Sequence, residues 1–217
     1  VEIQRKIYLS DFFIYNGIAE IASAQGEFER AIEYYEKARN SQKTVAEICY
    51  TGHTLNNIAV VHFYRGDYEL AQAYFDEAKK FHSRFGTTWV FGFTYAYSCM
   101  FWSLFRERKK ILENLNAFSE LNKTMRAIRA RAWIQIQQGN LHFLQGRYDK
   151  AIALLKQGLA TSKKVVCDVH VISEALIIVA TLEITRNEHA RPLKVINELL
   201  DHAVRLGRKH DIARAYL

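Results

Sequence analysis

Residues 59–78 read AVVHFYRGDYELAQAYFDEA. The same arrangement stands 40 residues earlier as AEIASAQGEFERAIEYYEKA over 19–38, and 80 residues later as GNLHFLQGRYDKAIALLKQG over 139–158. At the centre of the three stretches lie Gly26-Glu27-Phe28, Gly66-Asp67-Tyr68 and Gly146-Arg147-Tyr148. Seven residues before each glycine stand Ala19, Ala59 and Gly139. Three residues past each aromatic come Ala31, Ala71 and Ala151, then Tyr35, Phe75 and Leu155 four further on, then Ala38, Ala78 and Gly158 after another three. Spacings of three, four and seven place residues on one helical face. The small residues let two helices approach, and the large residue one turn away fills the space beside them. Glycine between the two patterns accepts the left-handed backbone that closes a helix. Each stretch therefore reads as helix–turn–helix. A helix pair of this kind cannot bury its apolar face alone, so successive pairs stack.

The interval requires another turn at residue 106, where Arg106-Glu107-Arg108 stands between two apolar stretches, with Cys99 at the small position. A fifth unit fits with a slip of one residue, turning near Asn187 with Ala180 as its small residue, although Pro192 falls where another small residue belongs. The pattern predicts first helices over 9–24, 45–64, 88–105, 125–145 and 168–185, and second helices over 28–42, 68–84, 108–122, 148–163 and 191–206. The repeats then run 9–44, 45–87, 88–123, 124–165 and 166–207 within a single domain over 1–217, with a partial helix at 210–217. The chain opens on Val1 and stops at Leu217 inside a helical pattern, which reads as a segment of a longer protein.

The small–glycine–aromatic–alanine–aromatic–alanine pattern resembles the tetratricopeptide repeat over nearly the whole chain. The period of 40 exceeds the family's usual 34. That longer form is similar to kinesin light chains, bacterial peptide-pheromone receptors and the sensor domains of signal-transducing ATPases. The resemblance implies an all-α, right-handed superhelical solenoid of antiparallel helix pairs whose first helices line a concave groove. One row along that groove is Phe13, His53, Phe93 and Trp133; the next is Asn16, Asn56, Ala96 and Ile136. Then come Gly17, Asn57, Tyr97 and Gln137, then Glu20, Val60, Met100 and Asn140, and last Ser23, Phe63, Ser103 and Phe143. The stretch Thr54-Leu55-Asn56-Asn57-Ile58-Ala59 is similar to the corresponding helix of kinesin light chain repeats, where groove asparagines grip the backbone of an extended peptide. An amide offers both donor and acceptor, so it pairs with a peptide unit of any sequence. The carry-over reaches Asn57 most directly, then Asn16 and Asn140. The candidate groove residues are Asn16, His53, Asn56, Asn57, Phe63, Phe93, Tyr97, Met100, Trp133, Asn140 and Phe143. Against this stands a plainer reading: solvated or helix-bonding amides, and an aromatic stripe that is core between repeats. No Lys or Arg stands in these rows over the first four units, which disfavours the terminal-carboxylate clamp of another class of these repeats.

Composition bounds the rest. The 217 residues carry a net charge of +7, with basic residues gathered in Arg106, Arg108, Lys109 and Lys110, in Lys123, Arg126, Arg129 and Arg131, and in Arg205, Arg208 and Lys209. Such surfaces attract acidic partners or nucleic acid, or are simply solvated helix faces. Nucleic acid is the disfavoured partner, since nothing but the charge points to it. Cys49, Cys99 and Cys167 are odd in number and far apart, without CxxC, which fits buried reduced thiols in a cytoplasmic setting. Phe85 to Phe105 holds no charge over 21 positions, long enough to span a bilayer. Its Gly, Thr and Ser content and its place in the repeat assign it instead to a buried helix, so no membrane partner is expected. There is no HExxH, no phosphate-binding glycine loop and no GxSxG, so no catalytic residues, metal or cofactor are expected. The sequence thus reads as a non-catalytic protein–protein interaction module that holds a peptide or protein segment in its groove. The alternative is a ligand- or peptide-sensing regulatory segment of a larger signalling ATPase or transcription regulator, and a lesser one is nucleic-acid binding through the basic clusters.

Overall fold

The computed structural model describes residues 10–85, 88–164, 169–185, 190–205 and positions 207, 209 and 212. Among these there are ten α-helices and no strand: α1 (Asp11–Ala24), α2 (Phe28–Asn40), α3 (Val45–Arg65), α4 (Tyr68–Phe85), α5 (Thr88–Leu104), α6 (Arg108–Met125), α7 (Ile128–Leu144), α8 (Tyr148–Ser162), α9 (Val169–Thr185) and α10 (Ala190–Arg205). They form the helix pairs of a tetratricopeptide-like solenoid, gathered in two compact units, Val1–Phe81 and His82–Leu217, with the boundary inside α4. In the first unit α1 packs on α2 and α3 packs on both. In the second, α5–α6, α7–α8 and α9–α10 are paired, and α7 touches α5 on one side and α9 on the other.

The turns within pairs are copies of one device. The amide of Glu27 donates to the Ala22 carbonyl at 2.9 Å, Asp67 to His62 at 2.9 Å, Glu107 to Trp102 at 3.0 Å and Arg147 to His142 at 2.9 Å. This six-to-one bond closes the first helix by satisfying a carbonyl that has no helical partner. It requires a left-handed residue between the helices, supplied by Gly26 (φ 76°), Gly66 (φ 90°) and Gly146 (φ 72°). In the third repeat Arg106 takes the same conformation at φ 55°, so the turn survives the loss of its glycine at a cost in strain.

The small positions are where paired helices meet. Ala19, Ala31, Ala38, Ala59, Ala71, Ala78, Cys99 and Ala151 are fully buried. At Gly139 a Cβ would lie 2.7 Å from Leu155 Cγ, and at Gly158 one would lie 3.0 Å from the Ala132 carbonyl oxygen and 2.6 Å from Ile136 Cγ1. The uncharged stretch around α5 is covered by protein: Ala96, Cys99 and Phe101 are buried, and α5 packs on α6 and α7. Among the described residues no helix is long and apolar enough to cross a membrane.

Helix ends fall within a residue or two of the sequence expectation except around 122–128. There α6 continues to Met125 and α7 begins at Ile128. The reversal is made by Arg126 at φ 49°. Its amide donates to the Asn122 carbonyl at 2.8 Å, and the Ala127 amide donates to Asn122 Oδ1 at 3.0 Å. Neither glycine nor proline marks that turn. Pro192 sits in the first turn of α10, where its missing N–H is no loss to the helix. The expected turn at Asn187, Cys167 and the partial helix at 210–217 (bar Ile212) lie outside the described residues.

Exchanging Arg106 for glycine is expected to stabilise the chain by roughly 0.5–1 kcal/mol, the relief of left-handed strain less the added freedom of the unfolded chain. Gly66→Ala is expected to cost about 1 kcal/mol at the equivalent turn. Gly158→Ala should cost roughly 1–3 kcal/mol through overpacking against a backbone carbonyl. Urea unfolding of the three variants ranks them; equal midpoints for Arg106→Gly and Gly66→Ala would show that the turns are not equivalent.

Candidate functional site

Within each unit, neighbouring first helices (α1 with α3, and α5 with α7) face one another at an offset of 37 or 38 residues. Thr54 Oγ1 donates to Asn16 Oδ1 at 2.9 Å, and Asn57 Nδ2 lies 3.5 Å from Glu20 Oε1. In the second unit Asn140 Nδ2 donates to Ser103 Oγ at 2.8 Å, an offset of 37. The offset follows from the repeat, and it sets which residues come together on each face.

Between α1 and α3 this arrangement leaves a pocket of about 230 Å³, lined by Phe12, Phe13, Asn16, Gly17, Glu20, Tyr50, His53 and Thr54. The α1 residues 13, 16, 17 and 20 form one helical stripe, and 50, 53, 54 and 57 of α3 form the facing one. The start of α3 is fixed by a capping box: the Glu47 amide donates to Thr44 Oγ1 at 3.2 Å, and Glu47 Oε2 accepts from the Thr44 and Lys43 amides at 2.7 and 2.6 Å. The pocket is open at Gly17, where a Cβ would meet nothing within 4 Å. Three rings border one end. Phe12 and Phe13 have centroids 5.1 Å apart, and Phe13 and Tyr50 have centroids 5.5 Å apart, both edge to face at 81°. Phe13 is 40% exposed, a large apolar surface for a residue beside a cavity.

The polar residues of the pocket differ in how committed they are. Asn16 is buried and spends both ends of its amide inside the fold, since Nδ2 donates to the Phe12 carbonyl at 2.9 Å while Oδ1 receives Thr54. His53 keeps an edge toward solvent, yet the surrounding protein disfavours its charged form and lowers its pKa from 6.5 to about 4. At neutral pH it is an uncharged imidazole.

Of the residues singled out from sequence, Asn16 and His53 line this pocket and Asn57 stands at its Glu20 edge. Asn56 is fully buried, and neither of its amide atoms has a hydrogen-bond partner among the described residues. In the second unit the corresponding space is filled. Trp133 is 1% exposed and meets Phe93 edge-on at 4.2 Å and Phe118 at 6.3 Å. Tyr97, Met100 and Asn140 are also buried. Phe63 and Phe143 are half-buried near the turns, beside Tyr68 at 6.4 Å and Tyr148 at 6.1 Å. Tyr50 and Thr54 were not among the candidates. The signal for Tyr50 was its place three residues before His53, on the same helical face. Among the described residues no three His, Cys, Asp or Glu side chains gather as metal ligands.

Models of the tetratricopeptide repeat match residues 10–82 and 137–170. No curated protein matches the sequence. Among solved structures, the chain superposes on a Rap protein complexed with Competence and Sporulation Factor with a TM-score of 0.73 at 13% identity, over 94% of this chain and 57% of that one. A Signal Transduction ATPase with Numerous Domains from Pyrococcus horikoshii, which has a tetratricopeptide repeat sensor, gives 0.61 at 14% identity, over 94% of this chain and 31% of that one. BtubC from P. vanneervenii gives 0.59 at 14% identity, over 88% and 78%. At these identities the likeness is one of fold, and the chain spans little more than half of the Rap protein and under a third of the ATPase.

The lowered pKa of His53 has a defined sign. Between pH 6.5 and about 4 the unfolded chain binds the proton and the folded chain does not, so stability falls as the pH drops through that window. His53→Gln should remove that part of the loss. Thermal melts of both proteins from pH 7.5 downward check it, and parallel curves would refute the assignment.

Proposed function

Because the chain is a tetratricopeptide-repeat protein, we propose that it is a non-catalytic interaction module that binds a peptide or protein segment on the faces of its first helices, with the pocket between α1 and α3 as a principal contact. The observation that carries this reading is the pocket itself. It is concave, it is bordered by rings of which Phe13 is substantially exposed, and it includes a half-buried neutral imidazole and an exposed carboxylate. Aromatic anchors beside a few polar groups are the usual make-up of a binding site. Asn57 at its edge offers an amide that pairs with main chain. The complex of the Rap protein with Competence and Sporulation Factor supports the reading by likeness of fold alone.

A second reading makes the chain a sensing segment of a larger regulatory protein. The likeness of fold to the Signal Transduction ATPase with a tetratricopeptide repeat sensor favours it. The two readings place the ligand in the same pocket and differ in what its binding transmits. Cys49 is half-buried and Cys99 buried, and neither forms a disulfide among the described residues, in keeping with a reducing cellular compartment.

Gly17→Leu tests the pocket without dismantling the fold. The new side chain enters open space, and replacing a mid-helix glycine favours the helix. Peptides selected from a random heptamer library on the wild-type chain should bind Gly17→Leu at least about tenfold more weakly, while its melting temperature stays level or rises. Peptides that bind both proteins equally would move the site away from α1 and α3.

A further inference from the structure

The four pair turns share one backbone and differ in charge. The equivalent stretches 24–32 and 64–72 each hold one cation against two acids, whereas 104–112 holds four cations against one acid and 144–152 holds two against one. In the first unit the turn cations are paired within the fold. Arg30 pairs with Glu27 at 2.7 Å, and Arg65 pairs with Asp67 and, at 3.6 Å, with Glu29. In the second unit Lys110 lies over the Trp102 ring, its Nζ 3.5 Å from the centroid. Arg106, Arg108, Lys109, Arg147 and Lys150 are exposed and form no ion pair among the described residues.

Two further features set 104–112 apart. Arg106 holds a left-handed backbone at φ 55° where the other three turns have glycine. Helix α6 opens on Arg108, Lys109 and Lys110 with no acid in its first turn, whereas α2, α4 and α8 open with Glu29, Glu69 and Asp149. A left-handed backbone disfavours a residue with a side chain, and the positive end of a helix disfavours cations. The packing of a pair requires neither, since the sibling turns do without both. A docked anion would offset the second.

The two turns of the second unit adjoin. Asn140 Nδ2 donates to Ser103 Oγ at 2.8 Å, one turn before Leu144 closes α7 and one residue before Leu104 closes α5. The chain therefore leaves both helices at the same edge, and neighbouring helix axes lie about 8–10 Å apart. Apolar surface accompanies the cations there: Leu104 is 52% exposed, Tyr148 48% and Phe105 44%. This mixture discriminates among anionic partners. Nucleic acid would use the cations and find no use for an aliphatic side chain. An anionic bilayer presents its charge as a plane, and the exposed Glu107 and Asp149 would face it with like charge. A peptide with carboxylates spaced by apolar side chains can set each group where the edge accepts it. We propose that the edge formed by the α5–α6 and α7–α8 turns is a second interaction surface, which takes an acidic peptide segment bearing apolar side chains. Its carboxylates pair with Arg106, Arg108 and Arg147, whose planar forks suit a carboxylate, and its apolar side chains cover Leu104, Phe105 and Tyr148. The surface shares no residue with the pocket between α1 and α3, so neither reading depends on the other.

The test selects a random dodecamer library on the full chain and sorts the binders with Arg106→Gly/Arg108→Gln/Arg147→Gln, in which every changed side chain is exposed and thermal melts check the fold. Binders that lose at least about tenfold in this variant are expected to be rich in Asp and Glu interspersed with Leu, Phe or Trp. They should bind Gly17→Leu unchanged and weaken as salt rises. Serine in place of their apolar residues should weaken binding to the wild-type chain roughly tenfold and weaken it less on Leu104→Ser, as a direct contact requires. Arg106→Gly alone should lower affinity while raising the urea midpoint, opposite directions that a merely structural residue would not give. A library without binders that depend on these arginines, or dependent binders that are not acidic, would overturn the proposal. So would a short single-stranded oligonucleotide, or phosphatidylserine vesicles, binding through the same arginines more tightly than the acidic peptides at equal salt.

Discussion

Close approach of paired helices at positions too small to separate them is the constraint from which the rest follows. Where Gly139 and Gly158 stand, a single added carbon would meet Leu155, Ile136 and the main chain of the facing helix. Alanine holds the same positions in the first two repeats and is fully buried there. With the pair drawn this tight, the connecting turn has one geometry available, a left-handed residue followed by the six-to-one amide bond. The same bond recurs at Glu27, Asp67, Glu107 and Arg147, which shows the geometry to be a property of the pair rather than of the local residues. Arg106 is the demonstration: the fold imposes a positive φ on a residue that resists it.

A fixed pair gives a fixed repeat, and the repeat sets which residues of neighbouring first helices face each other. The hydrogen bonds Thr54 to Asn16 and Asn140 to Ser103 are separated by 38 and 37 residues, close to the period of the sequence itself. The scaffold therefore determines addresses, while the side chains at those addresses determine whether a face is filled or open. On α5 and α7 the aromatic rings of Phe93 and Trp133 close the space. On α1 and α3 the equivalent address to Trp133 holds the smaller His53, and Gly17 contributes no side chain at all.

That separation explains what could be read from sequence. Helix limits and pair turns were legible because each was stated several times, so that Arg106 could be placed in phase without resembling glycine. The turn at Arg126 was not, since it occurs between repeats and rests on Asn122 rather than on a turn residue. For the site, phase identified which face a residue belongs to and could say nothing of what stands in front of it. Asn16 and His53 come to a pocket, while Asn56, one residue from Asn57, is sealed inside the fold. A one-residue step is about 100° around a helix, enough to turn a side chain from solvent to core. The pairing of Asn16 with Thr54 depends on two side chains 38 residues apart, which no local pattern records.

Seen this way, the departures from the repeat are where a binding surface can arise. A stack in which every address carried its usual residue would bury every first helix alike and leave no cavity. Gly17 in mid-helix costs the helix propensity and fills no space, and nothing in the packing around it requires a glycine. Its one structural consequence is open space on that face of α1. The carboxylate of Glu20 one turn further on lies at the margin of that room, exposed to water and 3.5 Å from Asn57 Nδ2. Between α1 and α3 the first unit thus has an open address where a side chain is missing, whereas between α5 and α7 of the second the equivalent address is closed by Phe93 and Trp133.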